Sequence, residues 1–335
     1  MKNRSFIIKT AAASVLLAVV FCLSILLGVQ KISAADFAAA ITEPESFYHT
    51  IIFSLRLPRA LLALMTGALL AASGACFQLF FRNALAEPGI IGISSGATLG
   101  AVIAQTAGFS GILCGALSAI NLSAFFGALF AGAAVTLIAK KSGGHSGMMI
   151  LLCGTALGTL YASVSSMLLL TKSRELHGIY TWILGSFNGR GYAEVRFIIV
   201  PAAVSFFMMM LCASRLDLMT GGEKTAAALG LDIPRVRTAV LVSASLAVSA
   251  SVCAGGTIQF VGLIAPHIVR TLYGEANIKS SRLIPVSAIY GAILVIVSDT
   301  IARLVIAPAE LPCGLVTALL GAPFFISLIF TGRSE

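Results

Sequence analysis

Four ionisable residues lie inside long apolar stretches of this chain: Glu87, His267, Asp299 and Arg303. A charge at the centre of a bilayer costs about 2.5–3.5 kcal/mol on insertion scales, so each must be paired, reach water or perform a function. Asp299 and Arg303 are four residues apart with the acid first, which predicts an ion pair on one helix face. Arg303 also falls near the end of its apolar stretch, where its guanidinium can extend to water. Glu87 directly precedes Pro88 and is expected to cap or brace the turn there.

Patterns that would indicate catalysis or a bound metal are weak. Residues 92–96 match the G-x-S-x-G spacing of a hydrolase elbow, but they begin a glycine-rich apolar helix instead of following a strand. An enzyme of that kind would use Ser94 or Ser95 as its nucleophile. The four histidines lack metal-ligand spacing, the seven cysteines include no C-x-x-C pair, and no P-loop motif for ATP occurs. We therefore expect no catalytic residue, no metal and no cofactor.

The largest polar segment between apolar stretches covers residues 215–237 and carries both basic and acidic side chains. Its charges exclude it from hydrocarbon, so it must lie in water against the membrane. Its alanine-rich run predicts a short helix over residues 223–229, with Gly230 as a left-handed C-terminal cap. Asp232 is typical of an N-cap and predicts a second short helix, with Pro234 in its first turn. The segment is either a solvated connection or a surface on which a partner docks.

The elements that carry these residues are predicted to be membrane-spanning helices. The chain has 335 residues, of which 58% are hydrophobic and 10% charged, and its mean hydropathy is +1.00. The apolar runs are continuous and not alternating, which favours helices over a barrel. We predict one all-α polytopic domain, 1–335, with about ten spans. They cover approximately residues 11–29, 56–80, 92–107, 113–139, 148–170, 197–212, 239–254, 261–272, 283–305 and 313–330.

The orientation follows from the distribution of basic residues. The net charge of +9 needs no nucleic-acid partner, because Lys and Arg gather in the cytoplasmic loops of membrane proteins. If the N-terminus is cytoplasmic, most of the 22 basic residues fall on the cytoplasmic side, and the C-terminus and residues 215–237 lie there as well. The first apolar run is similar to a secretory signal peptide, but its length favours an uncleaved span.

Short motifs follow one another from residue 56 to residue 325. They are RLPR (56–59), RNALAEP (82–88), GISSGA (92–97), WILGS (182–186), GTIQFVGLIAPHIVR (256–270), DTIAR (299–303), ELPCG (310–314) and GAPFF (321–325). Together they resemble the FecCD-type permeases, the membrane subunits of binding-protein-dependent ABC importers for iron-siderophore, haem and cobalamin. Ala84 stands where that family usually has Pro, and Gln259 stands where it usually has Gly or Ser.

The resemblance implies a type II ABC importer permease fold in the cytoplasmic membrane, surrounded by lipid, with both chain ends cytoplasmic. It implies a second permease subunit, which we expect to be an identical copy. It also implies a cytosolic ABC ATPase dimer that hydrolyses the ATP, and an extracytoplasmic substrate-binding protein. The permease is then a transport subunit and not an enzyme, and an iron-siderophore is its expected cargo, with haem or cobalamin next.

The resemblance also implies roles for particular residues. Residues 214–238 become the cytoplasmic coupling loop, and its ATPase contacts are expected at Glu223, Lys224, Ala227, Leu229 and Gly230. Three arginines, Arg56, Arg59 and Arg303, are expected to meet glutamates of the binding protein. Asn83 and Leu85 are expected near the inner gate of the translocation path.

An ion-coupled secondary transporter is the alternative. Such a carrier needs carboxylates or broken helices near the bilayer midplane to couple an ion to transport. Asp299 is the candidate carboxylate, and its predicted pairing with Arg303 argues against that role.

Overall fold

The structure is a computed structural model, and it describes residues 2–109, 111–113, 117–141, 147–170, 176–274 and 278–331. Its α-helices are α1 (Lys2–Leu26), α2 (Ala34–Thr42), α3 (Phe47–His49), α4 (Leu57–Phe81), α5 (Ile93–Thr106), α6 (Ala119–Lys141), α7 (Gly147–Leu170), α8 (Leu176–Ile183), α9 (Tyr192–Thr220), α10 (Glu223–Ala228), α11 (Ile233–Gly255), α12 (Val261–Tyr273), α13 (Ser280–Leu304) and α14 (Cys313–Thr331). A π-helical turn, Thr50–Arg56, leads into α4, and a 3-10 turn, Pro88–Ile91, precedes α5. Two short strands, β1 (Ile112–Leu113) and β2 (Leu117–Ser118), form an antiparallel pair before α6.

Ten of these helices correspond to the ten predicted spans. Seven are long and apolar enough to cross a membrane: α1, α4 with the turns before it, α6, α7, α9, α11 and α13. The other three, α5, α12 and α14, are shorter. Cys114, one of the seven cysteines, lies outside the described residues. The predicted all-α class with about ten membrane helices is thus confirmed, and these ten helices are of unequal length.

Contacts between distant residues show how the chain alternates between the two ends of the bundle. Near the start of α1, Lys9 Nζ donates to Leu272 O at the end of α12, 2.7 Å away. At the other end of α1, Arg303 Nη2 donates to Ser24 O at 2.9 Å. The start of α1 and the end of α12 therefore share one face, which we call the inner face, and the end of α13 lies on the opposite, outer face.

The centre of the bundle is formed by α4, α11 and α13, whose backbones pack closely together. In the most apolar window of α11, 78% of the residues are buried inside the protein, against 6% in α1. A Cβ added to Gly67 of α4 would lie 2.2 Å from Gly291 O of α13, so only glycine allows that approach. The glycine-rich helix α5 also packs closely against α6, because a Cβ on Gly96 would lie 2.3 Å from Ala131 Cβ.

The structure corrects the sequence prediction in three places. Asp232 is indeed an N-cap, and its side chain accepts from Arg235 N at 3.1 Å, but the helix it starts is the long span α11. The second short helix was therefore wrong, because an N-cap signal does not specify helix length. The span α9 is longer than predicted at both ends, and α2, which Ser33 and Asp36 begin with a capping box, was missed.

Candidate functional site

Arg56 and Arg303, two of the three arginines expected on the outer rim, are turned inward. Arg56 is 8% exposed, and its guanidinium donates to Ile25 O at 2.9 Å, Leu26 O at 2.8 Å and Gln30 O at 2.6 Å. Arg303 is 6% exposed and donates to Ser24 O, as described above. The carbonyls of Ser24, Ile25 and Leu26 end α1 and have no partner within that helix, so the arginines cap its negative C-terminal end.

Arg59 is held by two carboxylates from the far end of the sequence. Its Nη2 lies 2.9 Å from Asp299 Oδ1, and its Nη1 lies 2.8 Å from Glu310 Oε2. Asp299 is 2% exposed, and its Oδ2 lies 3.3 Å from Arg303 Nε, which confirms the ion pair predicted from the spacing. Asp299 therefore serves two arginines. We call the five side chains of Arg56, Arg59, Asp299, Arg303 and Glu310 the outer charge cluster.

A cavity of about 480 Å³ opens beside the outer charge cluster and is lined by its three arginines and Glu310. It is also lined by Arg190, which sequence reasoning had not singled out. Arg190 Nη1 is 3.9 Å from Glu194 Oε1, and its buried Nε has no hydrogen-bond partner among the described residues. Burial lowers the pKa of Arg190 from its ordinary value, against the opposing effect of Glu194. The cavity is thus lined by four guanidinium groups and one carboxylate.

A second cavity, of about 490 Å³, adjoins the first at Arg190 and Glu310. Its wall includes Trp182, which is only 7% exposed. Its indole Nε1 donates to Asn121 Oδ1 at 3.0 Å, and Asn121 Nδ2 donates to Glu194 Oε1 at 3.4 Å. This chain of contacts fixes the carboxylate of Glu194 beside Arg190.

On the inner face, α10 presents an exposed surface on a rigid frame. Leu229, the C-cap of α10, is 65% exposed. Gly230 has φ +83°, which confirms the predicted left-handed cap. Gly230 N donates to Ala227 O at 2.9 Å and Leu231 N donates to Ala226 O at 3.0 Å, the paired bonds of a Schellman motif.

The coupling residues expected in this region fall into two groups. Lys224, Ala227, Leu229 and Gly230 are exposed, whereas Glu223 is half-buried and lies 3.6 Å from Arg237 Nη2 through its Oε1. Ala226 is fully buried and anchors α10 to the helices beneath it. The structure therefore groups four of the five residues on the surface and places the fifth beneath them.

The two expected gate residues lie at the inner end of α4. Asn83 is exposed, and its Oδ1 accepts from Leu85 N at 2.9 Å, which makes a local turn with Leu85 half-buried. Glu87, a few residues on, does not brace this turn as expected. Its Oε1 accepts from Phe260 N at 2.6 Å and so caps the start of α12.

A bundle of ten apolar helices with ionic groups at the outer face and an exposed polar helix at the inner face defines a polytopic membrane transport protein. The sequence model of the FecCD transport family matches residues 16–331. The chain belongs to the FecCD transport family.

Several named permeases match most of the chain. A cobalamin import system permease, BtuC of Halobacterium salinarum, is 39% identical over 83% of this chain and 73% of its own length. The Fe(3+) dicitrate transport permease FecD of Escherichia coli is 36% identical over 86% and 87%, and the hemin transport permease HmuU of Yersinia pestis is 34% identical over 87% and 86%.

A solved structure also matches almost the whole chain. It is described as an inward-facing conformation of a metal-chelate type ABC transporter, and it superposes with a TM-score of 0.84 and 31% identity over 96% of this chain and 98% of that one. The chain is accordingly a permease subunit of an ABC importer, and the ion-coupled carrier is the less supported alternative.

Proposed function

We propose that this permease carries a ferric chelate of the siderophore class into the cytoplasm across the cytoplasmic membrane. The observation that carries this proposal is the match of nearly the whole chain, in sequence and in structure, to importers of metal chelates. Relatives named for Fe(3+) dicitrate and hemin support an iron-containing cargo, and a cobalamin relative makes a corrinoid the second choice.

The assembly that performs this transport contains further subunits. A second permease subunit, which we expect to be an identical copy, completes the path. A cytosolic ATPase dimer hydrolyses the ATP, because the permease has no P-loop. An extracytoplasmic binding protein delivers the cargo. This division of labour makes the outer face a docking surface and the inner face a coupling surface.

For docking, the cavity beside the outer charge cluster would receive carboxylates of the binding protein. Guanidinium groups bind carboxylates bidentately, and four of them line this cavity. They are not free, however, because Arg59 already holds Asp299 and Glu310. Glu310 is the partner that can be exchanged, since its side chain is 25% exposed and that of Asp299 is 3% exposed. A docking glutamate would therefore displace Glu310 from Arg59.

For coupling, α10 would transmit the movement of the ATPase to the spans. Its exposed residues Ala227 and Leu229 offer apolar surface at the aqueous face. Glu223 and the buried Ala226 tie the same helix to α11 and α9. A movement of α10 would thus be transmitted to α9 and α11 together. Asn83 and Leu85, at the inner end of α4, would form part of the inner gate.

Reconstitution in proteoliposomes tests the proposed function. The permease would be combined with its neighbouring ATPase and binding protein, and uptake of radiolabelled ferric hydroxamate, ferric citrate, hemin and cyanocobalamin would be measured. We expect ATP-dependent uptake of a ferric chelate that requires the binding protein. Uptake driven by an ion gradient without ATPase would overturn the assignment, and uptake of cyanocobalamin alone would overturn the ferric cargo.

A further inference from the structure

Two breaks in the helical backbone meet in the interior of the bundle. One is the segment between α4 and α5, which includes the 3-10 turn Pro88–Ile91. The other is residues 256–260, between α11 and α12, where Phe260 has the left-handed φ of +65°. The hydrogen bond from Phe260 N to Glu87 Oε1, 2.6 Å long, joins the two breaks.

The breaks lie deep in the membrane. They enclose a cavity of about 220 Å³ whose wall includes Leu70 and Val248. Leu70 is near the middle of the 25-residue α4, and Val248 is beyond the middle of the 23-residue α11. At a rise of about 1.5 Å per residue, Leu70 is roughly 16 Å from the inner end of α4, which is about half the thickness of a hydrocarbon core.

The wall of this cavity is polar for such a depth. Glu87, Ser94, Ser95 and Gln259 all line it. The described hydrogen bond of Glu87 uses Oε1 only, and Ser94 and Ser95 lie in the first turn of α5 with partly exposed side chains. Gln259 is exposed in the single subunit.

Such a wall cannot face lipid. An amide without a partner in hydrocarbon costs several kcal/mol, and irregular backbone at membrane depth occurs only inside protein or beside a water-filled cavity. Phe260 next to it is covered by α14, since a Cβ on Gly321 would lie 2.3 Å from Phe260 Cβ. Gln259 therefore faces either water or the second permease subunit.

We infer that Gln259, with Ser94, Ser95 and the second oxygen of Glu87, forms a water-accessible polar station on the translocation path. The station offers hydrogen-bond donors and acceptors to the amide, hydroxyl or carboxylate groups at the periphery of a passing metal chelate. Gln259 is the residue that sets its preference, because it is exposed whereas Glu87, Ser94 and Ser95 are half-buried. This inference rests on the proposed function for the cargo, but the accessibility of the station does not.

Thiol labelling tests the accessibility. Gln259→Cys would be placed in a background without native cysteines, and the assembled transporter in proteoliposomes would be treated with a charged, membrane-impermeant methanethiosulfonate. The matched control is Phe207→Cys, because Phe207 is 63% exposed and lies near the middle of the 29-residue α9. A thiol in lipid stays protonated and unreactive, so we expect Gln259→Cys to react roughly tenfold faster or more.

Two results would overturn the station. One is equal, slow labelling of both variants. The other is labelling of Gln259→Cys in subunits separated by detergent but not in the assembled transporter, which would place Gln259 in the contact between permease subunits. Neither result depends on which cargo is carried. The proposed function can therefore be wrong while the station is correct, and the station can be wrong while the proposed function is correct.

A second measurement tests the preference for polar cargo. Gln259→Leu keeps much of the volume and removes the hydrogen bonds, whereas Gln259→Asn keeps the amide. We expect Gln259→Leu to lower uptake of the ferric hydroxamate roughly tenfold, with subunit assembly and basal ATP hydrolysis unchanged and with partial recovery in Gln259→Asn. Equal uptake by the leucine variant, or loss of assembly, would contradict the role.

Discussion

The outer charge cluster and the inner helix α10 are both proposed to meet partner proteins, yet they are built in opposite ways. In the outer cluster the arginines are at most 9% exposed and are held by carboxylates or helix carbonyls of the same chain. In α10 the presented residues are exposed, and the frame beneath them is a backbone motif. If these proposed roles hold, docking at the outer charge cluster would require an exchange of ionic partners. Coupling through α10 would require only that its rigid surface be complementary in shape to the partner.

The outer charge cluster and α10 differ in how much folding free energy a substitution is expected to remove. Removing one partner of a buried ion pair costs about 3–5 kcal/mol because the other charge is left without compensation. An exposed pair contributes about 0–1 kcal/mol. A substitution in the outer cluster should thus affect folding and docking together, while one in α10 should affect coupling alone.

The largest effect is expected from Asp299→Asn, which removes the carboxylate shared by Arg59 and Arg303. We expect the free energy of unfolding to fall by about 3–5 kcal/mol, measured by denaturant unfolding in detergent. The matched control is Asp232→Asn, since Asp232 forms an exposed pair with Arg235 at 2.9 Å and asparagine caps a helix equally well. Comparable losses of unfolding free energy in both variants would contradict the expected difference between the buried ion pairs of the outer charge cluster and the exposed pair near α10.

The next effect concerns Gly230→Pro. Proline cannot adopt φ +83° and lacks the N–H that Gly230 donates to Ala227 O. We expect normal membrane insertion but loss of transport and of ATP hydrolysis stimulated by the binding protein. Gly108→Pro is the control, because Gly108 has φ +78° and equally open surroundings at the end of α5. Stimulation at the wild-type level in Gly230→Pro would show that α10 is not the coupling element.

A moderate effect is expected from Glu310→Gln, which removes the internal competitor for Arg59. We expect the binding protein to associate about two- to fivefold more tightly, which corresponds to about 0.5–1 kcal/mol for a partly exposed pair. Surface plasmon resonance at two salt concentrations would measure it, with exposed Glu43→Gln as the control for lost negative charge. Weaker association would mean that Glu310 positions Arg59 for docking instead of occupying it.

Charge reversal at Arg59 is informative only when it is combined with the opposite charge reversal on the binding protein. Arg59→Glu should reduce association and transport, but it also places a carboxylate beside Asp299 and so destabilises the fold. Recovery by reversing a glutamate of the binding protein to Arg would separate docking from folding. Absence of recovery in a variant that is correctly folded would leave Arg59 as a structural residue.

The smallest effect is expected from Leu85→Ala at the proposed gate. Because Leu85 is half-buried, the substitution removes only part of an apolar seal. We expect basal ATP hydrolysis to rise about twofold or less, with a small leak of cargo. Leu218→Ala, on the 43% exposed Leu218 of α9, should leave both unchanged. No change in Leu85→Ala would place the gate elsewhere.

The sequence predicted what depends on local spacing. The spans follow from the length of apolar runs, the Asp299–Arg303 pair follows from one helical turn, and the Gly230 cap follows from the position of a glycine after a helix-forming run. The family resemblance added the residue roles, which stay predictions.

The sequence could not predict contacts between distant segments. Arg59 and Glu310 are 251 residues apart, and nothing in either motif shows that they pair. Likewise Glu87 precedes a proline, which suggested a role in its own turn, but its carboxylate caps a helix 173 residues away. Arg190 gave one signal that could have been used, since it is a basic residue beside a glycine-rich turn close to an apolar span.

The capping of α1 by Arg56 and Arg303 bears on how the protein is made. The helix is synthesised before Arg56 and Arg303, whose guanidiniums satisfy its last carbonyls. The last carbonyls of α1 therefore lack these hydrogen-bond partners when α1 is made. Arg56, the first of the two, becomes available only with the next span, α4. The contact with Arg303 can form only after α13, the ninth span, is synthesised, so the capping of the C-terminal end of α1 is completed late.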